Sequence, residues 1–415
     1  MFRRFLYDGS MLALRGIVRG AGIMHPKAAE MFRGRKNWIA DLKSRRPEGK
    51  IAWFHCASVG EFEQAKPVIE LLKATNSELK IAVTVYSPSG IGPARNYKLV
   101  DLVCYLPFDS RKNAETFMDI MRPDLAIFIK YEFWYHFLKI VHERKIPAFS
   151  VSAIFRKEQR FFRKNGTFFR SILQCFDHFF VQTQESKMLL ESIGLNNVTV
   201  TGDTRLDRVK KIAANPLDVP IADAFKSGSR ILVIGSSWHQ DIDLLIPIVN
   251  DESINLKFII APHEIGEANI RSITSRLTVP AMLFSNAKPV NISQHRVLII
   301  DNIGLLSSLY RYGELAYIGG AFHAGLHNIL EPAAYGIPVI FGQSKSNRKY
   351  QEAVDLVANG GAFEISTSDE LRLIINKMVE DSDFMKEVSG KVSHYLNSNA
   401  GASEKVANHI QEYLK

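Results

Sequence analysis

Two glutamates stand where an α/β chain does its chemistry. Glu61 closes the run His55-Cys56-Ala57-Ser58-Val59-Gly60-Glu61, which follows the apolar stretch Ile51–Phe54 and opens a helix-length segment, Phe62–Lys73. Glu132 lies in Lys130-Tyr131-Glu132-Phe133-Trp134, directly after Leu125–Ile129. A carboxylate so placed can act as a general base when its site raises its pKa toward the working pH. Residue type alone leaves plainer readings open. Glu61 would equally complement the dipole of its helix, and Glu132 would equally be a polar residue beside a packed tryptophan. Arg205, in Thr201-Gly202-Asp203-Thr204-Arg205, offers a fork that meets phosphate or carboxylate bidentately.

A second group gathers around YIGGAFHAGLHNILEPAAYGIPVIFG, Tyr317 to Gly342. The apolar run Leu315–Ile318 predicts a buried strand. Gly319 and Gly320 let the backbone turn or approach a ligand closely. Asn328 is an N-cap candidate for a short helix, Pro332 is tolerated in its first turn, and Gly336 and Pro338 end it. Free N–H groups at such a helix start suit a phosphate, and Glu331 suits a sugar's hydroxyls. An ordinary βαβ unit with a capped helix would use the same residues. Three more post-strand loops share this character: Gly235-Ser236-Ser237-Trp238-His239, Ala261-Pro262-His263-Glu264 and Asp301-Asn302-Ile303-Gly304-Leu305. Their convergence suits a nucleotide pocket. His239 and His263 lack metal-ligand spacing, so hydrogen bonding is expected of them rather than a metal site. No Walker A or complete dinucleotide fingerprint occurs, and no cofactor is expected.

These loops need strands to carry them. Ile81–Tyr86, Ala148–Ser152, Phe179–Gln182 and Asn197–Val200 continue the first series, with Arg111–Met121 among the intervening helices. Arg230–Ile234, Leu256–Ile260, Val297–Ile300 and Val339–Phe341 build a second series. Strand–helix alternation predicts parallel sheets covered on both faces, with ligands at the carboxyl ends of strands. A chain of 415 residues is too long for one core. The expected organisation is a basic segment at 1–49, an α/β domain at 50–214, an extended hinge at 215–220 and a second α/β domain at 221–415. The last helix is a candidate to cross back to the first domain.

Charge is uneven. The first 50 residues hold twelve basic and four acidic side chains, a net +8 of the chain's +9. Such a segment points to an anionic surface, lipid or nucleic acid. No apolar run reaches the roughly 18 residues of a membrane span. Met11 to Met24, broken by Arg15 and Arg19, reads as an interfacial helix or as a surface helix packed on the first domain. In Phe155–Arg170, Arg156, Lys157, Arg160, Arg163 and Lys164 interleave with phenylalanines. That mixture suits an anionic amphiphile or stacked bases, as well as a helix whose rings face the core. Cys56, Cys104 and Cys175 form no CxxC pair, which argues against a disulfide framework and points to a reducing cytoplasm.

Two α/β halves, a hinge and a nucleotide-like pocket describe a GT-B glycosyltransferase, with two Rossmann-like domains whose parallel sheets face a cleft. The chain resembles the bacterial 3-deoxy-D-manno-octulosonic acid (Kdo) transferases of lipopolysaccharide biosynthesis over nearly its whole length. ASVGE at Ala57–Glu61, YLPFD at Tyr105–Asp109, DNIG at Asp301–Gly304 and GG…HNILEPAAYG at Gly319–Gly336 carry the resemblance. It implies a CMP-Kdo donor bound by the second domain and a lipid A precursor, lipid IVA, meeting the first. It implies a peripheral protein at the anionic cytoplasmic face of the inner membrane, without nucleic acid or metal. Glu61 matches the family's general base, Glu132 a second carboxylate near the reaction centre, and Arg205 a cation that is usually lysine. Ser236, Pro262, His263, Ile303, Gly304, Leu305, Gly320, Asn328, Ile329, Leu330 and Glu331 fall on the donor side. Ser58, Gly60, Arg156, Arg160, Arg163 and Lys164 fall on the acceptor and membrane side. The chain departs from the family at Pro262-His263-Glu264, where an arginine–histidine–proline motif is shortened, and at Leu305, where a glutamate is usual. Rivals of other classes are a GT-B enzyme using a UDP-sugar, a UDP-sugar epimerase, and a non-catalytic protein that binds anionic lipid or RNA.

Overall fold

Apolar runs without alternation become strands buried on both faces, as parallel sheets require. In the computed structural model, which describes residues 2–323 and 325–415, they assemble two seven-stranded parallel sheets. The first contains β1 (Ile51–Cys56), β2 (Lys80–Val85), β3 (Leu102–Tyr105), β4 (Leu125–Ile129), β5 (Ala148–Ala153), β6 (His178–Val181) and β7 (Val198–Val200). Its order is β3-β2-β1-β4-β5-β6-β7. The second contains β8 (Ile231–Ser237), β9 (Lys257–Pro262), β10 (Ala281–Leu283), β11 (Val297–Ile299), β12 (Leu315–Ile318), β13 (Val339–Gly342) and β14 (Ala362–Ile365), in the order β10-β11-β9-β8-β12-β13-β14. Both sheets are doubly wound. The chain reverses its direction of travel between β1 and β4 in one, and between β8 and β12 in the other. A crevice at the carboxyl ends of those strand pairs is where such sheets bind ligands.

The chain divides into two compact units. One holds the chain up to Arg208 together with Ala400–Lys415, and the other holds Val209–Asn399. The division falls within the helix Thr204–Ala214, ahead of the Asn215–Val219 stretch. In the first unit, Trp53, Phe117, Phe128 and Phe137 pack on one face of the sheet. Phe54, Phe62, Val68, Leu72 and Phe149 pack on the other with Val406 and Ile410 of the helix Ala402–Gln411. Asp207 holds that helix by accepting from Gly401 N and Ser403 N at 2.6 and 2.7 Å.

Residues ahead of β1 form α1 (Phe2–Ala21), α2 (Pro26–Arg33) and α3 (Trp38–Arg45). α1 is fastened along one edge. Tyr7 OH donates to Asp109 Oδ2, and Asp8 Oδ1 lies 2.6 Å from His136 Nε2. Its other side leaves Phe5, Leu12 and Ile17 largely exposed, at 78%, 69% and 66%. At about 100° per residue these share one sector with Gly9 and Gly16, flanked by Arg3 on one side and by Arg4, Arg15 and Arg19 on the other. The helix thus packs on the unit through one edge and keeps an apolar outer face bordered by arginines.

Phe155–Arg170 is not one helix. It contains a single 3-10 turn, Arg160–Phe162, and ends inside the helix Thr167–Leu173. Phe155 and Phe161 are buried in the core, and the remaining phenylalanines pack against it. Burial of these rings, rather than helical periodicity, sets the path.

Candidate active site

The loops after β1 and β4 carry the two glutamates to the switch point of the first sheet. After Cys56 the chain turns at Ala57 and enters α4 (Val59–Thr75). Glu61, third in that helix, reaches back so that Oε2 accepts from Ser58 N at 3.0 Å and from Ser58 Oγ. This is half of a capping box, which satisfies a donor orphaned by the helix start. One carboxylate oxygen is therefore committed to Ser58, and Gly60 beside it is exposed.

Lys130, immediately after β4, adopts φ +61°. A left-handed lysine is strained, and such strain concentrates at functional sites. The turn brings Glu132 over the end of β1. Its Oε2 accepts from Trp134 Nε1 at 2.6 Å and lies 3.0 Å from Nε2 of the fully buried His55. Trp134 stacks on Tyr86 with ring centroids 4.9 Å apart. Tyr86 in turn faces the buried guanidinium of Arg35 at 4.8 Å, and Arg35 donates to the Tyr86 carbonyl at 2.8 Å. Burial pushes the Cys56 thiol up, and Glu61 and Glu132 both push it further, so the two carboxylates act on one buried group at the same sheet edge.

Arg205 is held by Asp203, whose Oδ2 accepts from Nε at 2.9 Å and from Nη2 at 2.6 Å. Burial alone would raise the Asp203 carboxyl. Arg205, Lys130 and Gln64 outweigh burial and hold it below its ordinary value. Arg156 donates to Tyr131 OH at 3.3 Å, beside Glu132 in the chain. Arg160, Arg163 and Lys164 instead line a cavity of about 860 Å³ with Arg3, Tyr7, Phe168 and Phe169.

In the second unit the end of β8 and the helix after it touch the loop after β12. A Cβ at Gly319 would lie 2.5 Å from Ser236 O, 2.6 Å from Asp241 Oδ2 and 2.6 Å from Ser237 Cα. Ser236 (φ +52°) and Gly320 (φ +98°) are both left-handed there. Asp241 is third in the helix His239–Val249, as Glu61 is third in α4. It accepts from Trp238 N at 2.8 Å, Gly320 N at 2.9 Å and Tyr317 OH at 2.8 Å. Burial raises its carboxyl, against the pull of those three donors. Pro262 pairs with Ser237 at the end of β9, which sets His263 against Trp238 at 4.3 Å between nearly parallel rings. His323 lies 4.4 Å from the same indole, and Trp238 Nε1 is 3.0 Å from His327 Nε2. Burial, then His263, pushes His327 down to about 4.

The helix expected to start at Asn328 is a single turn, Leu330–Ala333, capped at Ile329. Asn328 instead accepts from Leu330 N at 3.1 Å and donates to Glu331 Oε1 at 3.1 Å. One amide expected to face a ligand is thus taken by a side chain. Ile329 and Leu330 are buried, so any contact from them comes through backbone. Ile303 is exposed, Gly304 is left-handed at φ +97°, and Leu305 caps the helix Leu306–Leu309. Ser307 of that helix shares a small crevice with Glu331 and Tyr335.

The structure therefore joins Ser58, Gly60, Glu61 and Glu132 at one edge, and Ser236, Pro262, His263 and Gly320 at another. His55, Trp134, Trp238, Asp241 and His327 complete these edges and are not predicted as site residues from the sequence. His55 sits inside an apolar run, while Asp241 three residues after a strand-end loop carried the same signal as Glu61. No group of three or more His, Cys, Asp or Glu poised for a metal ion occurs among the described residues.

Comparison with known proteins adds to this geometry. Residues 30–208 match the family model described as 3-deoxy-D-manno-octulosonic-acid transferase (kdotransferase). The chain is 26% identical over 347 residues to the 3-deoxy-D-manno-octulosonic acid transferase of Aquifex aeolicus, covering 81% of this chain and 87% of that one. The protein of the same name from Rickettsia bellii is 23% identical over 394 residues, covering 93% and 92%. In fold, the chain is similar to MurG of Acinetobacter baumannii, with a TM-score of 0.57 at 12% identity over 88% of this chain and all of that one.

Proposed function

The chain is a glycosyltransferase of the Kdo transferase family of lipopolysaccharide biosynthesis, and from that premise we propose that it moves Kdo from CMP-Kdo to the lipid A precursor lipid IVA, with inversion and with Glu61 as general base. The observation that carries this reading is the pairing of Glu61 and Glu132 on the loops after β1 and β4, inside the region that matches the family. Glu61 Oε2 is occupied by Ser58, and no hydrogen bond to Oε1 is formed among the described residues. Oε1 takes the proton of the acceptor hydroxyl. The oxygen attacks the anomeric carbon as the bond to the CMP phosphate breaks, and CMP leaves with the bonding electrons. Glu132 faces the positive charge that builds on the sugar, and Arg205, oriented by Asp203, faces negative charge.

The donor falls to the second unit. Ser236, Pro262, His263 and Gly320 supply one wall, and Ile303–Leu305 with Asn328–Glu331 supply backbone and side-chain hydrogen bonds. The acceptor is a lipid, which suits the other features of the first unit. Among the described residues, the cavity lined by Arg3, Arg160, Arg163 and Lys164 has no carboxylate in its lining and includes Leu6, Phe168 and Phe169. Phosphate meets the cations and acyl chains meet the rings. The apolar face of α1, bordered by arginines, rests on an anionic surface as interfacial helices do. Among the described residues no helix is long and apolar enough to cross a membrane, and we place the protein peripherally on the cytoplasmic face of the inner membrane.

Glu61→Gln tests the assignment. Glutamine still accepts from Ser58 N, so the helix start is kept. Transfer is expected to fall by about 10²–10⁴-fold while the variant stays folded and binds CMP. If Glu132→Gln abolishes turnover and Glu61→Gln leaves it near wild type, the base is the other carboxylate.

A further inference from the structure

Glu132 does not hold itself in place. We infer that His55, with Thr84 behind it, is a positioning residue that fixes the Glu132 carboxylate through a buried, directional hydrogen-bond relay. The inference rests on the reading that Glu132 faces the reacting sugar.

The direction follows from the chemistry of the four groups. An indole N–H only donates. Trp53 Nε1 lies 2.8 Å from Thr84 Oγ1, so the hydroxyl accepts there and has its own proton to give. His55 Nδ1 is 2.9 Å from that oxygen and receives it. The remaining proton of the ring then sits on Nε2, which donates to Glu132 Oε2 at 3.0 Å. Trp134 Nε1 donates to the same oxygen at 2.6 Å. The alternative has the Thr84 hydroxyl turned to Phe54 O at 3.4 Å, Nδ1–H donating to Thr84 Oγ1 at 2.9 Å or to Thr84 O at 3.2 Å, and Nε2 accepting from Trp134 Nε1 at 2.9 Å. It puts the threonine proton on the longest of these contacts, draws the Trp134 N–H away from its 2.6 Å contact with Glu132, and sets a bare Nε2 3.0 Å from a carboxylate oxygen.

Trp53, His55 and Thr84 are each fully buried, so the relay is rigid and closed to water. It runs across the paired strands β1 and β2, in which His55 and Thr84 are register partners. Two N–H donors converge on Oε2, and no hydrogen bond to Oε1 is formed among the described residues. The carboxylate is thereby aimed with one oxygen anchored and one presented. A side chain on a loop with a left-handed lysine two residues earlier gains its orientation from the sheet beneath it.

A double-mutant cycle on the full-length chain reads this directly, with CMP release from CMP-Kdo in the presence of lipid A precursor as the assay. His55→Phe is expected to lower kcat on the order of 10–100-fold, as loss of an orienting partner does, with the donor KM near wild type. In the Glu132→Gln background the same substitution is expected to cost no more than about two- to threefold, because coupled residues are not additive. His55→Gln, which keeps an N–H near the place of Nε2, is expected to recover most of the rate. An equal loss in both backgrounds overturns the positioning role and leaves Glu132's role standing. Wild-type turnover in Glu132→Gln overturns both. If His55→Phe does not fold, Thr84→Val enters the same cycle, with Thr84→Ser as the conservative control, and the outcomes are read in the same way.

Discussion

Gly319→Ala probes the second unit at the point where the end of β8 touches the loop after β12. The added Cβ would meet Ser236 O at 2.5 Å, Asp241 Oδ2 at 2.6 Å and Ser237 Cα at 2.6 Å. Real Cβ contacts do not approach so closely, and two of the three atoms are backbone. The end of β8 must therefore shift as a body. Overpacking of this kind costs about 1–3 kcal/mol. Displacing Ser236 and the Asp241 bonds to Trp238 and Gly320 should also weaken CMP binding, by about tenfold for each 1.4 kcal/mol lost. Thermal unfolding gives the stability term and calorimetric titration with CMP the binding term. Gly266→Ala is the control, since that position has φ −61° and nothing within 4 Å of a Cβ. Wild-type stability and wild-type CMP affinity in Gly319→Ala would refute the argument that these two segments form the donor site by close backbone contact.

Two further outcomes follow from the surface charge and from half-buried histidines. Binding to anionic vesicles should weaken with salt, because the charges on α1 are screened over about 8–10 Å at physiological ionic strength, and reversing Arg3, Arg4, Arg15 and Arg19 should reduce it further. Equal binding to neutral and anionic vesicles would count against an electrostatic interfacial helix. His327 and His178 are each pushed from 6.5 to about 4, by burial first and then by His263 and His409 respectively. The unfolded chain then takes up protons below about 6.5 that the folded chain refuses until about 4, so stability should fall as pH drops through that window. His327→Gln should flatten the slope of stability against pH between those values, and an unchanged slope would contradict it.

Much of the fold was legible because parallel strands buried on both faces are written as continuous apolar runs. Leu315–Ile318 and Arg111–Met121 are observed with the bounds their patterns predict. β3, β10 and β14 are not predicted: all three are edge strands of three or four residues, too short for a clear run, and β10 and β14 also carry partly exposed residues. Glu61 and Glu132 could be found from their place after a strand. The groups that orient them could not. His55 looks like one more residue of a buried strand, and only the register of β1 against β2 and β4 shows that it joins Thr84 to Glu132. The residue type of Asn328 predicts a cap, but its side chain bonds Leu330 N and Glu331 and leaves the cap to Ile329. Side-chain competition for backbone donors within a few residues decided that, and spacing does not encode it.

Release of CMP from CMP-Kdo, measured with and without lipid A precursor, tests the central claim most directly. Acceptor-dependent release, with Kdo found on the lipid by mass spectrometry, is the result predicted. Turnover with a UDP-sugar and none with CMP-Kdo would contradict it.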